Sequence, residues 1–143
     1  MATAGKTCGK DAVFKLDNQA GTLTTITTYI RSVTGLPGEK EMKDVTVLGS
    51  TGYNYFPCLQ KCDFSVEGVF DHTANSLYDI VEDFMSDTNT RTFEFDPAGI
   101  TTDYPKMTGE CRIKKVVVDA KPPDPLFVTV DLVLDGNVNV TVN

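Results

Sequence analysis

The sequence contains no tryptophan and only one histidine, His72, among its 143 residues. It also lacks an apolar run close to the ~20 residues that a membrane-spanning helix requires. Its first ten residues are small and polar, without the apolar stretch of a signal peptide, so we expect folding in a cytoplasm and no membrane span. The length fits a single domain, 1–143, that can bury a core without disulfides.

Basic residues are also scarce, with 13 Lys and Arg against 20 Asp and Glu, for a formal net charge of −7. A free-standing nucleic-acid binder normally presents a basic face, because neutralising phosphates supplies most of its affinity. The charge therefore argues against tight DNA binding. It remains compatible with a protein that touches DNA without holding it.

The usual signatures of catalysis and metal binding are missing. Neither a phosphate-binding GxxxxGK[ST] loop nor an HExxH or GxSxG motif occurs. The four cysteines are Cys8, Cys58, Cys62 and Cys111, and in a reducing cytoplasm we expect all of them to be free thiols. Only Cys58 and Cys62 are closely spaced, which is too few ligands for a zinc site. An enzymatic reading would require Cys58 or Cys62 as the nucleophile and His72 as its base. We interpret His72 instead as a polar residue in the turn before the helix. We predict no enzymatic activity, metal or cofactor.

Two-residue alternation dominates the chain and predicts strands with one buried and one wet face. Clean alternation covers residues 12–16, 62–70, 93–95, 126–134 and 138–142, and a less regular strand covers 112–119. Asp135-Gly136-Asn137 predicts a tight hairpin between the last two strands. The proline-rich segment 121–125 cannot pair in a sheet. The C-terminal strands are therefore expected to form a three-stranded antiparallel meander.

One helix is predicted over residues 73–87. Its apolar residues follow helical spacing and form one stripe: Leu77, Ile80, Val81 and Phe84. Thr73 or Asn75 is expected to cap its N-terminus. Together these elements predict a mainly β fold, an antiparallel β-sandwich or partly closed barrel with one flanking α-helix.

The region between the first strand and the central strand is less regular. Thr24–Val33 favours a strand by composition, and residues 34–55 are rich in glycine and weakly periodic. We interpret 34–55 as an extended loop or arm that orders on a neighbouring molecule, since such long loops are uncommon and usually functional. The arm's candidate contact residues are Leu36, Pro37, Leu48, Tyr53, Tyr55 and Phe56.

Several segments, in this order and spacing, resemble the major tail protein (tail tube) family of long-tailed, non-contractile phages. They are Leu16–Gly21, Leu23–Ile26, Tyr29–Val33, Gly35–Gly38, Glu41, Asp44–Thr46, Gly49, Phe56–Pro57 with Leu59, Asp63–Gly68 and Phe70–Asp71. Cys58 departs from the pattern, since the family usually has glycine at this turn. The similarity covers roughly residues 12–86 and continues more loosely to the C-terminus.

The resemblance implies a structural virion protein, assembled in the host cytoplasm and resident in the phage tail. Its copies would form hexameric rings that stack into a tube conducting double-stranded genomic DNA during ejection. Its partners would be a tape measure protein, a tail terminator and baseplate or tip proteins. Secretion-system tube proteins share the implied fold and remain an alternative, as does a monomeric small β-barrel that binds a ligand.

An acidic bore would let DNA slide, because like charges disfavour adhesion. Acidic residues on the polar strand faces are the candidates to line it: Asp63, Glu67, Glu94 and Asp131. Alternation tells which residues share a face, but not where that face points.

Overall fold

The computed structural model describes residues 9–143. Its elements are β1 (Val13–Asp17), β2 (Leu23–Thr25), β3 (Ile30–Thr34), β4 (Glu39–Asp44), β5 (Tyr55–Lys61), β6 (Asp63–Val69), α1 (Leu77–Val81), β7 (Arg91–Asp96), β8 (Pro105–Asp119) and β9 (Phe127–Val142). Short 3₁₀ turns cover Gly9–Asp11, Thr27–Tyr29 and Phe84–Ser86.

Within the described residues, seven strands form one antiparallel sheet in the order β2-β1-β7-β8-β9-β6-β3, and β4 pairs only with β5. β2 and β3 are the two edges of that sheet, yet only residues 26–29 connect them. A link this short spans at most about 18 Å, so the sheet must roll until its edges approach each other. The Ile26 amide donates to the Phe14 carbonyl (3.1 Å) and fixes the link to β1. The predicted mainly β, partly closed barrel with a flanking helix is confirmed.

β8 and β9 form a long two-stranded ribbon that runs through both halves of the rolled sheet. In one half, residues 112–119 and 127–133 of the ribbon continue into β6 and β3. We call this half the four-strand wall. In the other half, residues 105–111 and 134–142 of the ribbon join β7, β1 and β2, and we call it the five-strand wall.

The predicted hairpin at Asp135-Gly136-Asn137 is wrong. β9 continues through it, and both Asp135 and Asn139 pair with β8, at Glu110 and Thr108. The extra residues form a bulge in which Gly136 adopts a φ of +102°. Glycine favours a bulge for the same reason that it favours a tight turn, because both require positive φ. The C-terminal meander therefore has two long strands rather than three.

The core lies between the two walls and under α1. Alternate residues of β1, β6, β7 and β9 supply it, and Phe64 of the four-strand wall meets Phe93 of the five-strand wall with ring centroids 4.8 Å apart. All four residues of the predicted helical stripe are buried: Leu77, Ile80, Val81 and Phe84. Within residues 9–143, no helix is both long and apolar enough to cross a membrane.

The helix is shorter than the predicted 73–87. Ser76, rather than Thr73 or Asn75, caps its N-terminus by accepting from the Asp79 amide (3.3 Å). The helix ends at Val81, and the Arg91 guanidinium donates to the Ile80 carbonyl, which in a longer helix would accept from the Phe84 amide. The chain then tightens into the 3₁₀ turn at Phe84–Ser86.

The predicted irregular loop at 34–55 is largely a β-hairpin. β4 and β5 pair from Glu39–Lys61 to Asp44–Tyr55, with a loop over residues 45–54. We call residues 39–61 the arm. The predicted strand at Thr24–Val33 is likewise interrupted, because the 3₁₀ turn at Thr27–Tyr29 separates β2 from β3.

Two glycines let the base of the arm pack tightly against the four-strand wall. Gly35 and Gly38 both have φ above +100°, and a Cβ on Gly38 would lie 2.6 Å from the Cys62 Cβ. The arm leaves the wall where β6 begins, at Asp63, and we call this the arm end. β6 finishes at the opposite end, beside the proline-rich segment 121–125, and we call that the proline end.

Candidate assembly surfaces

Three of the four predicted acidic candidates share one polar face. Asp63, Glu67 and Asp131 all lie on the side of the four-strand wall that points away from the core, since Phe64, Val66 and their partners fill the other side. Asp131 accepts from the Ser65 hydroxyl. Hydroxyl groups occupy neighbouring positions of the face, so it is polar without being uniformly charged.

The bases on this face stand beside acids. Arg31 pairs with Glu67 (N–O 3.4 Å) and stacks over the Phe127 ring, 4.5 Å from its centroid. Lys115 lies directly across from Asp131 in the strand register. The face therefore presents little cationic charge in excess of its acids. Sequence alternation located the acids, but the pairing with Arg31 follows from a register shift in β3 that the sequence does not reveal.

Glu94 occupies a different environment from the other three. It lies on the five-strand wall, only 9% exposed, with Lys15 at 3.3 Å and Lys106 at 4.0 Å. Its charge is therefore compensated within the subunit. The structure does not bring it together with the other three candidates.

Asp96 is a buried titratable group next to Glu94 that the sequence did not single out. It is completely buried, and Asn143 donates to its Oδ1 (3.2 Å) while Oδ2 has no donor among the described residues. Burial disfavours its charge and the neutral acid donates to Glu94, so its pKa rises to about 6. Burial opposes the charge of Glu94 too, but the Asp96 hydrogen bond and Lys15 outweigh it, and the pKa of Glu94 is lowered.

The four-strand wall has two open edges. β7 pairs with β8 only as far as Cys111, so residues 112–119 of β8 have β9 on one side and no strand of the described chain on the other. At the far side of the wall, β3 pairs with β6 and with no other strand of residues 9–143. Unpaired edges of this kind invite pairing with another chain. The edge at residues 112–119 exists because β8 is longer than its partner β7, and the sequence did not predict this difference in length.

The arm exposes most of its apolar side chains. Leu48 at its tip is fully exposed, and Tyr53, Tyr55 and Phe56 are exposed by 58–77%. Large exposed apolar groups gathered on one projection are typical of interaction sites. The other two predicted contact residues lie at the base of the arm, where Leu36 packs against the core and the Pro37 carbonyl accepts from the Gln60 side chain (3.3 Å).

The thiols and the histidine lie apart. Cys62 precedes β6 and His72 follows it, so about 20 Å of strand separates them. Burial raises the pKa of the Cys62 thiol and raises that of Cys111 to about 12, which is the opposite of what a nucleophile needs. Cys58 is exposed on the arm. The prediction of a free thiol at Cys8 falls outside the described residues.

A cavity of about 450 Å³ lies at the seam of the rolled sheet, between β1 and β3. Phe14, Ile30 and Val33 supply apolar lining, and Lys10 and Arg31 supply positive charge. It is the gap that remains where the barrel does not close. Among residues 9–143, no cluster of three or more His, Cys, Asp or Glu side chains could hold a metal ion.

Comparison with solved structures shows the class of fold. A chain of the native gene transfer agent virion matches with a TM-score of 0.74 at 18% identity, over 95% of this chain and 99% of that one. The SPP1 tail tube matches with a TM-score of 0.73 at 13% identity, over 96% and 81%. A chain of the sheath-tube complex of an extracellular contractile injection system matches with a TM-score of 0.68 at 12% identity, over 99% and 95%.

The fold is thus the one found in tail tubes and related injection systems. No family model matches the sequence. A search of curated proteins likewise found no match.

Proposed function

We propose that this protein is the tube subunit of a phage-type tail, a structural virion protein without enzymatic activity. The observation that carries the proposal is the four-strand wall, which has two open edges among the described residues and an outer face that carries Asp63, Glu67 and Asp131. Joining the β8 edge of one copy to the β3 edge of the next would satisfy both edges. Repeated around an axis, the pairing closes a barrel with no edges left.

Six copies fit the dimensions of a DNA conduit. Six-fold symmetry is described for the tail of the gene transfer agent particle, whose chain shares this fold at 19% identity. Six four-stranded walls give about 24 strands, and strands ~4.8 Å apart tilted by ~40° enclose a barrel about 50 Å across between backbones. Side chains narrow that bore but leave room for duplex DNA.

We propose that the polar face carrying Asp63, Glu67 and Asp131 lines the bore. Arg31 is engaged by Glu67 and Arg112 by Asp135, and Lys115 lies across from Asp131, so passing phosphates would meet bases that each stand beside an acid. DNA would slide rather than adhere. A tape measure protein, a terminator and tip proteins complete the proposed set of partners, with the virion tail as its location.

Electron microscopy of the purified protein tests the proposal directly, with hollow six-fold tubes as the expected result. A protein that stays monomeric at high concentration would overturn it. The orientation of the polar face is tested by co-sedimenting tubes with short duplex DNA. Asp63→Lys tubes should retain DNA, whereas wild-type tubes and Glu82→Lys tubes, changed on the exposed helix surface, should not.

A contractile injection system remains the second candidate, because the matched sheath-tube complex has the same fold. Its tube would be enclosed by a sheath. Tubes purified from the native source would distinguish the two, since an associated sheath protein would favour the second candidate.

A further inference from the structure

The side of the four-strand wall that is proposed to line the bore changes character along its length, and we call this side the bore face. In its middle, Ser65, Asp131 and Lys115 lie side by side on β6, β9 and β8 and are all polar. Toward the proline end, valine and phenylalanine take the place of charged groups. The fourth apolar residue of the face, Val133, stands alone at the arm end, across from Asp63.

Three apolar side chains lie together at the proline end of the bore face, and we call them the apolar belt: Val69, Val117 and Phe127. Val69 lies directly across from Phe127, and Val117 lies across from Thr129, two residues farther along β9. Diagonal neighbours of this kind are within reach of an aromatic ring. Since Val128 is fully buried, Phe127 and Thr129 on either side of it point to the bore face.

The apolar belt is accessible in the subunit. Val69 is 40% exposed, and the other two members are partly exposed. Arg31 covers part of Phe127, with its guanidinium 4.5 Å from the ring centroid, and Glu67 holds Arg31 there (N–O 3.4 Å). Asp119, across from Phe127, bounds the belt on β8. The two valines are therefore the main apolar surface that the belt offers.

The geometry of the tube restricts which molecule can reach this surface. Repeated around the proposed axis, the belt becomes an apolar girdle that faces the bore, and stacking repeats the girdle in every ring. Only a molecule inside the bore can touch it. Duplex DNA presents phosphates along its whole length and gains nothing from an apolar girdle. A protein gains by burying apolar side chains against it.

The recurrence of the girdle along the axis also requires an elongated occupant. An α-helix satisfies its own backbone hydrogen bonds at any length and can present one continuous apolar stripe. A helix is only ~10 Å thick with its side chains, so one or several fit within the proposed bore. The girdles therefore match the apolar stripe of a long helical protein better than they match DNA.

We propose that the apolar belt holds an elongated helical protein by its apolar stripe inside the tube, before DNA passes. This inference rests on the proposed tube function and assigns the two parts of the bore face to two occupants. The belt retains a protein, and the rows with Asp63, Glu67 and Asp131 keep DNA from adhering. Because the belt offers no ion pair to its occupant, retention should not depend on salt.

Tubes assembled from the purified protein together with a fluorescent probe peptide test the proposal. The probe is a neutral helix of about 22 residues, ~33 Å long, with leucine on one face and glutamine and serine on the other. Wild-type tubes should retain it on sedimentation at low and high salt alike. The double variant Val69→Thr, Val117→Thr should retain about tenfold less or lower, because each threonine keeps the branched shape but replaces a methyl by a hydroxyl.

The matched control is Val140→Thr, the same substitution at a 59% exposed valine of the five-strand wall, which should retain the probe as the wild type does. A further variant acts in the opposite direction. Thr129→Val enlarges the belt, because Thr129 lies between Glu67 and Val117 in the register, and it should raise retention about threefold or more.

Equal retention by the double variant and the wild type would overturn the inference while leaving the tube function intact. Failure of Thr129→Val to raise retention would do the same, and so would belt variants that alter the retention of short duplex DNA instead of the peptide. Absence of tubes from the wild-type protein would instead count against the proposed function.

Discussion

Replacing Asp96 by asparagine removes the buried group that titrates closest to neutral pH. Asp96 is fully buried beside Glu94, and its pKa is raised from 3.8 to about 6, first by burial and then by its hydrogen bond to Glu94. Below pH 3.8 the Asp96 carboxyl is protonated in both the folded and the unfolded chain, so its burial does not lower the free energy of unfolding. As the pH rises through about 6, the folded protein must ionise it, and stability falls relative to the acid range.

The difference between the two pKa values of Asp96, 3.8 and about 6, corresponds to a loss of at most about 3 kcal/mol in the free energy of unfolding above pH 7. The introduced amide stays neutral at every pH, and it can still donate to Glu94 and accept from Asn143. Asp96→Asn should therefore match the wild type near pH 4 and exceed its free energy of unfolding by roughly 2–3 kcal/mol at pH 7.5.

Urea unfolding followed by circular dichroism at pH 4, 5, 6, 7 and 8, with protein kept too dilute to form tubes, measures this difference. The surface change Asp124→Asn serves as the matched control and should track the wild type at every pH. Parallel curves for Asp96→Asn and the wild type between pH 5 and 8 would refute the reasoning. So would a variant less stable than the wild type at pH 7.5.

Three further predictions follow from the packing. Gly38→Ala should disorder the base of the arm and impair tube growth, because the added Cβ would lie 2.6 Å from the Cys62 Cβ and the φ of +101° disfavours alanine. Hydrogen exchange of residues 39–61 measures this disorder. Protection equal to that of the wild type would contradict the prediction. Phe93→Ala should lower the free energy of unfolding by about 3–5 kcal/mol in urea titrations, since Phe93 is fully buried between the walls, whereas a loss below about 1 kcal/mol would speak against that packing. Cys58 should react quickly with a thiol reagent in the folded protein and Cys111 only after unfolding, as judged by peptide mass spectrometry, because burial raises the pKa of Cys111 to about 12.

Strand positions were accessible to sequence reasoning wherever one face is buried. Phe14 and Leu16, or Phe64 and Val66, repeat at intervals of two because the core lies on one side of their strands. β4 escaped detection for the opposite reason. All six of its residues are exposed, so no apolar alternation marks it, and its pairing with β5 becomes visible only in three dimensions.

Two errors arose from long-range contacts. Asp135-Gly136-Asn137 has the composition of a hairpin, but the partner strand β8 extends far enough to pair on both sides of it and turns it into a bulge. The helical stripe from Leu77 to Phe84 was read correctly as buried, whereas the helix ends at Val81, where Arg91 reaches back to the Ile80 carbonyl. Neither partner can be identified from local sequence.

The placement of the acidic residues on strand faces was accessible to sequence reasoning only in part. Alternation placed Asp63, Glu67 and Asp131 on polar strand faces, and the structure puts them on one face. Glu94 follows the same pattern but lies on the other wall, because the sheet rolls. The open edge of β8 depends on where β7 stops pairing, at Cys111, and no property of the β8 residues themselves signals it.

The ribbon of β8 and β9 has a mechanical consequence. Since the same two strands run through both walls, the half of the subunit that would surround the bore is covalently continuous with the five-strand wall. A force that pulls the two walls apart would therefore act against the continuous backbone of β8 and β9 as well as against side-chain packing. Under such a force we expect the contacts between subunits to separate before the two walls of one subunit do.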